Sequence, residues 1–186
     1  MVLLHSEKTR LGTPAPDFSL TSVDGQTYSL KAFSSKKALV VMFICNHCPY
    51  VKAIEDRIIQ LERDYSSKGV QIIGICSNDS SDYPDDSPAS LKKRWIEKEY
   101  RFPYLVDEAQ SVAKAYGAVC TPDIFVYDEK RLLAYHGQLD NSWQEPSKVT
   151  RHDLREALDQ ILAGGKPSSV QTPSMGCSIK WRKTSR

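Results

Sequence analysis

ALVVMFICNHCP, residues 38–49, decides how this chain reads. Ala38–Ile44 is a continuous apolar run rich in β-formers, which predicts a strand covered on both faces. From Pro49 the period changes. Val51, Ile54, Ile58 and Leu61 recur at spacings of three and four, predicting a helix to about Ser67 that Gly69 ends. Cys45 and Cys48 therefore stand at the exit of a buried strand and in the first turn of a helix. Two thiols so placed can close a disulfide with little backbone movement. The free N–H groups and dipole of a helix start also favour a thiolate there. The predicted chemistry is thiol–disulfide exchange.

Outward from this stretch, strands and helices alternate. Gly12–Leu20 with Asp24-Gly25 predicts a short strand and hairpin turn, and Ser29–Ser34 a helical turn. Val70–Ser77 is a second core strand, and the acidic stretch 78–88 (NDSSDYPDDSP) a loop. Ser87 can cap a helix from Pro88 to about Tyr100. Phe102–Val106 follows as a strand, and Ala109–Tyr116 as a helix closed by Gly117. Asp123–Tyr127 and Leu132–His136 read as a hairpin, and His152 to about Ala163 as an amphipathic helix. The fold class is α/β, a sandwich around a mixed sheet. The expected division is an N-terminal segment at 1–11, a domain at 12–163 and a tail at 164–186. Pro167–Arg186, Ser/Pro-rich and then basic, reads as loosely held.

A net charge of +2 implies neither a nucleic-acid nor an acidic-membrane partner, and no apolar run reaches the roughly 20 residues of a membrane helix. Met1–Arg10 is too short in apolar residues for a signal-peptide core, so a cytoplasmic location is expected. Five cysteines with a single C-x-x-C do not make a secreted disulfide framework. A structural zinc half-site would call for a second C-x-x-C or a His pair, and neither is present.

Three further features join the dithiol: Gly12-x-x-Ala15-Pro16-Asp17-Phe18 with Asp24-Gly25, Val119-Cys120-Thr121-Pro122 before a β run, and the order of elements. With these, residues 12–163 resemble the thioredoxin superfamily, in particular its AhpC/TSA (redoxin) branch. The resemblance implies a three-layer thioredoxin-like sandwich with an N-terminal β-hairpin extension. It implies that Cys45 is the exposed nucleophile, that Cys48 is the more buried resolving thiol, and that Pro122 is a cis-proline. Thr121 would then meet an extended substrate through its backbone. No organic cofactor is expected, because sulfur carries both electrons. The expected partners are a protein or small-molecule disulfide and an upstream reductase or low-molecular-weight thiol.

His47, between the cysteines, can stabilise the Cys45 thiolate. The resemblance adds that histidine here marks more oxidising members such as protein disulfide isomerase; the alternative is an exposed His of little effect. Two departures from the superfamily stand out. The strand before Cys45 carries no carboxylate, leaving Glu55 as a substitute or, on the plainer reading, a solvated surface residue. Met42 occupies the place, three before Cys45, where peroxiredoxins carry Thr or Ser. That departure counts against a thiol peroxidase, which stands as one rival. A Cu(I) module built from Cys45, His47, Cys48 and Cys120 or Cys177 is another. Cys76 reads as core, and Cys120 as a buried thiol or a further redox cysteine. Cys177 lies in MGCSIKW, residues 175–181, where Ile179 and Trp181 alternate like a docking strand. Docking would bring Cys177 to the dithiol; otherwise it is a free thiol on an arm. Asp79, Asp82, Asp85 and Asp86 lack a calcium-loop spacing and read as solvated. Trp95 and Tyr100 read as packing, and Lys180, Arg182, Lys183 and Arg186 as a solvated basic end.

Overall fold

The computed structural model describes residues 3–183; Met1 of the N-terminal segment and Arg186 of the basic end lie outside the described residues. The chain runs through β1 (Leu3–His5), β2 (Ser19–Thr21), β3 (Thr27–Ser29), β4 (Ala38–Phe43) and α1 (Pro49–Tyr65). It continues through β5 (Val70–Cys76), α2 (Pro88–Glu97), β6 (Tyr104–Val106), α3 (Ser111–Tyr116) and β7 (Cys120–Thr121). It closes with β8 (Asp123–Tyr127), β9 (Leu133–His136), α4 (Asp153–Leu162) and β10 (Met175–Ser178).

All six residues of β4 are buried because it is the central strand. The main sheet has the order β6-β5-β4-β8-β9, with β4, β5 and β6 parallel and β8 and β9 antiparallel. Alternation along β4 divides the core. Val40, Met42 and Ile44 pack with Ile54, Ile58 and Leu61 of α1 and with Leu154 and Leu158 of α4. Leu39, Val41 and Phe43 pack with Ile73, Phe125 and the α3 residues Val112, Ala113 and Tyr116. Each Val, Leu, Ile, Phe or Met side chain among these, fully buried, stabilises the fold by about 1.5–3 kcal/mol. This is the thioredoxin-like three-layer α/β sandwich. The hairpin extension is present as β2–β3, though its loop is longer than a two-residue turn, with Ser22 N–H bonded to Gln26 O at 2.8 Å. Among the described residues no helix is long and apolar enough to cross a membrane.

Two expectations are corrected here. Glu55 is not solvated: it is 2% exposed. Its carboxylate takes two bonds from Arg94 (2.7 and 2.6 Å), a contact from Lys98 at 3.1 Å and the Tyr100 hydroxyl. A carboxylate on the inner face of α1 is tolerable only with such partners, and all three come from α2 and the residues just after it. The ion cluster thus clamps α2 to α1.

The tail is not loose. β10 lies between β1 and β7 in a three-stranded antiparallel sheet, with Cys177 opposite Leu3 on one side and Thr121 on the other. The N-terminal segment, through Leu3–His5, and the C-terminal one, through Met175–Ser178, therefore pair with each other, and the latter pairs with the domain between them at Cys120–Thr121. Cys177 and Ile179 are buried at 2% and 3%, while Trp181 lies largely outside with the Lys114 ammonium 5.7 Å from its ring. Gly176 permits this approach: a Cβ there would fall within the Thr121 carbonyl oxygen and 3.0 Å from Pro122 Cδ.

Replacing Glu55 by Ala leaves the inward-turned Arg94 without its partner. Urea unfolding is expected to show a loss of roughly 2–4 kcal/mol, reduced from the fully buried case because Arg94 and Lys98 keep some solvent. A loss within about 0.5 kcal/mol, as for ordinary surface sites, would mean that the cluster does not hold the two helices together.

Candidate active site

The C-x-x-C turn is built where β4 runs out beyond its last paired residue. Ile44 N–H still bonds Ile75 O at 3.0 Å, and Cys48 is then the residue at the N-terminal boundary of α1, with Pro49 at the first helical position. Pro there costs no hydrogen bond, since the first N–H groups of a helix have no intrahelical partner. The turn comes to rest against residues 120–122, where the Thr121–Pro122 bond is cis as expected. Thr121 touches both sulfurs: its Oγ1 is 3.3 Å from Cys45 Sγ, and Cys48 Sγ is 3.0 Å from its carbonyl oxygen.

Cys45 is not exposed. It is 1% accessible and Cys48 is fully buried. Two elements cover them. The loop before α2 closes over the Asn46-His47 spacer, and β10 closes over Cys48. The backbone edge at Thr121, expected to receive a substrate, is paired with the chain's own Cys177.

The cover on the Cys45 side is organised by Asp86, which the sequence reading placed among solvated aspartates. It is 2% exposed. Its carboxylate accepts from Asn46 N–H (2.8 Å), His47 N–H (3.3 Å) and Asn78 Nδ2 (2.8 Å), and meets His47 Nδ1 at 2.5 Å. The His47 ring stacks on Tyr83, centroids 4.8 Å apart. Asn46 itself ties the turn to the loop through bonds to Asp85 O and Ser90 O, both 3.0 Å. The signal for Asp86 was present only as a polar loop preceding a capped helix, and nothing local distinguishes it from Asp85.

The other candidates separate. Cys76 and Cys120 are buried, and burial pushes both thiols above their ordinary range. His136 bonds Asp123 at 2.7 Å and stacks on Phe125. Since Asp123 pairs with Phe43, this pair sits on the α3 face of the sheet, away from the dithiol. His152 lies at the start of α4. One ligand atom each from Cys45, His47 and Asp86 lies within 4.8 Å of the others, a set that could hold a metal ion.

With this geometry in place, comparison with known proteins is informative. The profile of the AhpC/TSA family matches residues 11–136. The chain belongs to the AhpC/TSA family. Among its curated relatives are the thiol-disulfide oxidoreductase ResA of Bacillus thuringiensis (26% identical, 66% of each chain) and the thiol:disulfide interchange protein DsbE of Haemophilus influenzae (29%, 83% of this chain and 78% of that one). Peroxiredoxin Q of wheat is 25% identical over 80% of this chain and 66% of its own. The chain thus spans 66% of the length of ResA. A solved structure of an uncharacterized conserved protein from Geobacillus kaustophilus superposes with a TM-score of 0.94 at 45% identity, covering 100% of this chain and 99% of that one.

The charge of this AhpC/TSA dithiol is set by who donates to whom. Cys48 receives the Cys45 thiol, then, against the cost of burial, the Val51 N–H and both the thiol and the backbone N–H of Cys177; its pKa is held down at about 5. Burial pushes Cys45 up, and its bond to Cys48 and the nearby Asp86 charge add to this. Asp86 pays for burial, but its bonds from His47, Asn78 and Asn46 outweigh that and hold it below the usual carboxylate range. A cationic His47 therefore does not act on Cys45 alone, because an ionised Asp86 stands beside it. The donors to Cys48 favour the charge there. The Thr121 carbonyl favours the opposite arrangement: with the proton on Cys48, that thiol donates to Thr121 O, and a Cys45 thiolate faces the Thr121 hydroxyl.

Ultraviolet thiolate absorbance of the reduced protein is expected to titrate with a midpoint near pH 5, and the midpoint is expected to rise in Cys45→Ala, which removes the leading donor. Because the folded value lies below that of a free cysteine, about 8.5, the sign is fixed. This contribution to stability is complete above the free value and is lost as pH falls through about 5. A midpoint near the free value would place the resting proton on Cys48.

Proposed function

We propose that this protein is a thiol–disulfide oxidoreductase whose redox pair is Cys45 and Cys48. The observation that carries the proposal is the hydrogen-bonded contact of the two sulfurs beside Thr121 and Pro122, at the start of α1. The redox relatives ResA and DsbE support the same reading.

The reaction runs in two exchanges. The Cys45 thiol passes its proton to the Cys48 thiolate, along the bond that joins them, and the Cys45 thiolate attacks one sulfur of a substrate disulfide. The other substrate sulfur leaves as a thiolate. Cys48, releasing its proton to that departing group, attacks Cys45 of the mixed disulfide, so that the Cys45–Cys48 disulfide forms and the second substrate sulfur leaves as a thiolate, which takes its proton from solvent. Two electrons pass from the protein to the substrate, and the reverse sequence oxidises a dithiol. The donors that stay beside Cys48 in the mixed disulfide, the Val51 N–H and Cys177, favour its ionisation for the second exchange. The fully covered dithiol requires the Asp86 loop or β10 to move before a bulky substrate can enter.

Equilibration in glutathione buffers, followed by alkylation and peptide mass spectrometry, is expected to give a reversible Cys45–Cys48 disulfide within the span of known dithiol oxidoreductases, about −270 to −120 mV. Cys45→Ser and Cys48→Ser are each expected to abolish catalysed reduction of a model disulfide by dithiothreitol. If both thiols stay reduced across the range while peroxide is consumed rapidly, the protein is a peroxidase instead.

A further inference from the structure

The dithiol is covered on the Cys48 side by a strand of its own chain, and that strand carries a thiol. β10 adds to Thr121 as an antiparallel partner, the way an extended peptide adds to an open strand edge. The register puts Cys177 opposite Thr121, the residue whose carbonyl lies 3.0 Å from Cys48 Sγ. The Cys177 thiol and backbone N–H both bond Cys48. The strand is held on both sides: Leu3, Leu4 and His5 pair along its other edge, Ser6 N–H bonds Ser174 O at 2.9 Å, and Asp79 N–H bonds Lys180 O at 2.8 Å. Gly176 is what allows it to lie this close, since any side chain there would strike Thr121 and Pro122.

We propose that Cys177 is a third redox thiol, which takes over the disulfide from Cys45 by attacking Cys48, so that the docked C-terminal strand acts as a built-in substrate of the dithiol. This rests on the exchange reading of Cys45 and Cys48. In the step, Cys177 sulfur bonds Cys48 sulfur and the Cys45–Cys48 bond breaks. The proton of Cys177 ends on the departing Cys45 sulfur. No electrons enter or leave, and no co-reactant is needed. Cys48 is the central sulfur of the three, because both of the others hydrogen-bond it. The exchange returns Cys45 as a thiol while the oxidising equivalent is stored as Cys48–Cys177. The bond an upstream reductant then opens is the one that staples β10 to the active site.

The test uses the full chain oxidised with glutathione disulfide, acid-quenched, alkylated and digested with trypsin. Cys45 and Cys48 share the peptide 38–52, whereas Cys177 lies on another, so a Cys48–Cys177 bond appears as a cross-link between two peptides. Wild type is expected to show both linkages, with Cys76 and Cys120 alkylated throughout. Cys45→Ser is expected to convert fully to Cys48–Cys177: Cys48 attacks glutathione disulfide, and Cys177 displaces glutathione from Cys48. Adding Gly176→Ala to Cys45→Ser undocks the strand and is expected to slow that cross-link at least about tenfold, the loss of effective concentration when a thiol is no longer held in place. If Cys45→Ser stops at glutathionylated Cys48 with Cys177 alkylated, and wild type forms only Cys45–Cys48, the relay is wrong and the dithiol reading stands. A cross-link in Cys45→Ser without any Cys45–Cys48 bond in wild type would uphold the Cys48–Cys177 pair and overturn the dithiol reading. An equal cross-linking rate with Gly176→Ala would overturn the claim that docking presents Cys177.

Discussion

Thr121 is the residue through which three parts of the chain meet. Its hydroxyl faces Cys45, its carbonyl faces Cys48, and its place in the ladder faces Cys177. A residue so engaged keeps three sulfurs, from two distant stretches of sequence, in register with one another. A buried thiol has few good partners, since sulfur is a weak donor and a weak acceptor. A site of this kind therefore depends on converging contacts, none of them strong. The Val51 N–H at the start of α1 and the Cys177 N–H of β10 supply fixed dipoles aimed at Cys48.

The opposite wall is held by a single carboxylate. Asp86 gathers two backbone N–H groups, an imidazole and an amide, and in doing so ties the loop before α2 to the turn between the cysteines. Its charge opposes a thiolate on Cys45, whereas the donors around Cys48 favour one there. The two cysteines are thus made unequal by their surroundings. An exchange site benefits from that asymmetry, because attack and resolution call for different thiols to be ionised at different moments.

How much of this was legible can be judged from particular residues. The strand at 38–43 and the helix from Pro49 follow from an apolar run and a 3.6-residue period, while the cis bond before Pro122 is what the resemblance to the thioredoxin superfamily implies for a Thr-Pro after a C-x-x-C. These are short-range patterns, or patterns tied to one. Glu55 and Asp86 read as solvent-facing, because a charge in a sequence carries no mark of its partner. Arg94 is 39 residues from Glu55, and His47 is 39 from Asp86. The tail was misread for a related reason. Four residues of β-structure, among Ser and Pro, gain their stability almost wholly from neighbours, and here those are β1 and β7, far away along the chain.

By itself, the sequence determined the layers of the fold and the place of the dithiol within them, because periodicity and turn chemistry act over a few residues. It also carried Cys177 and a docking pattern at Ile179 without saying which of two readings held. The tertiary structure alone decided that β10 closes over Cys48, that Cys45 is covered, and that Asp86 and Glu55 are buried. Each of these depends on long-range pairing, and the free energy of burying a charge or a thiol is set by what surrounds it rather than by what precedes it in the chain.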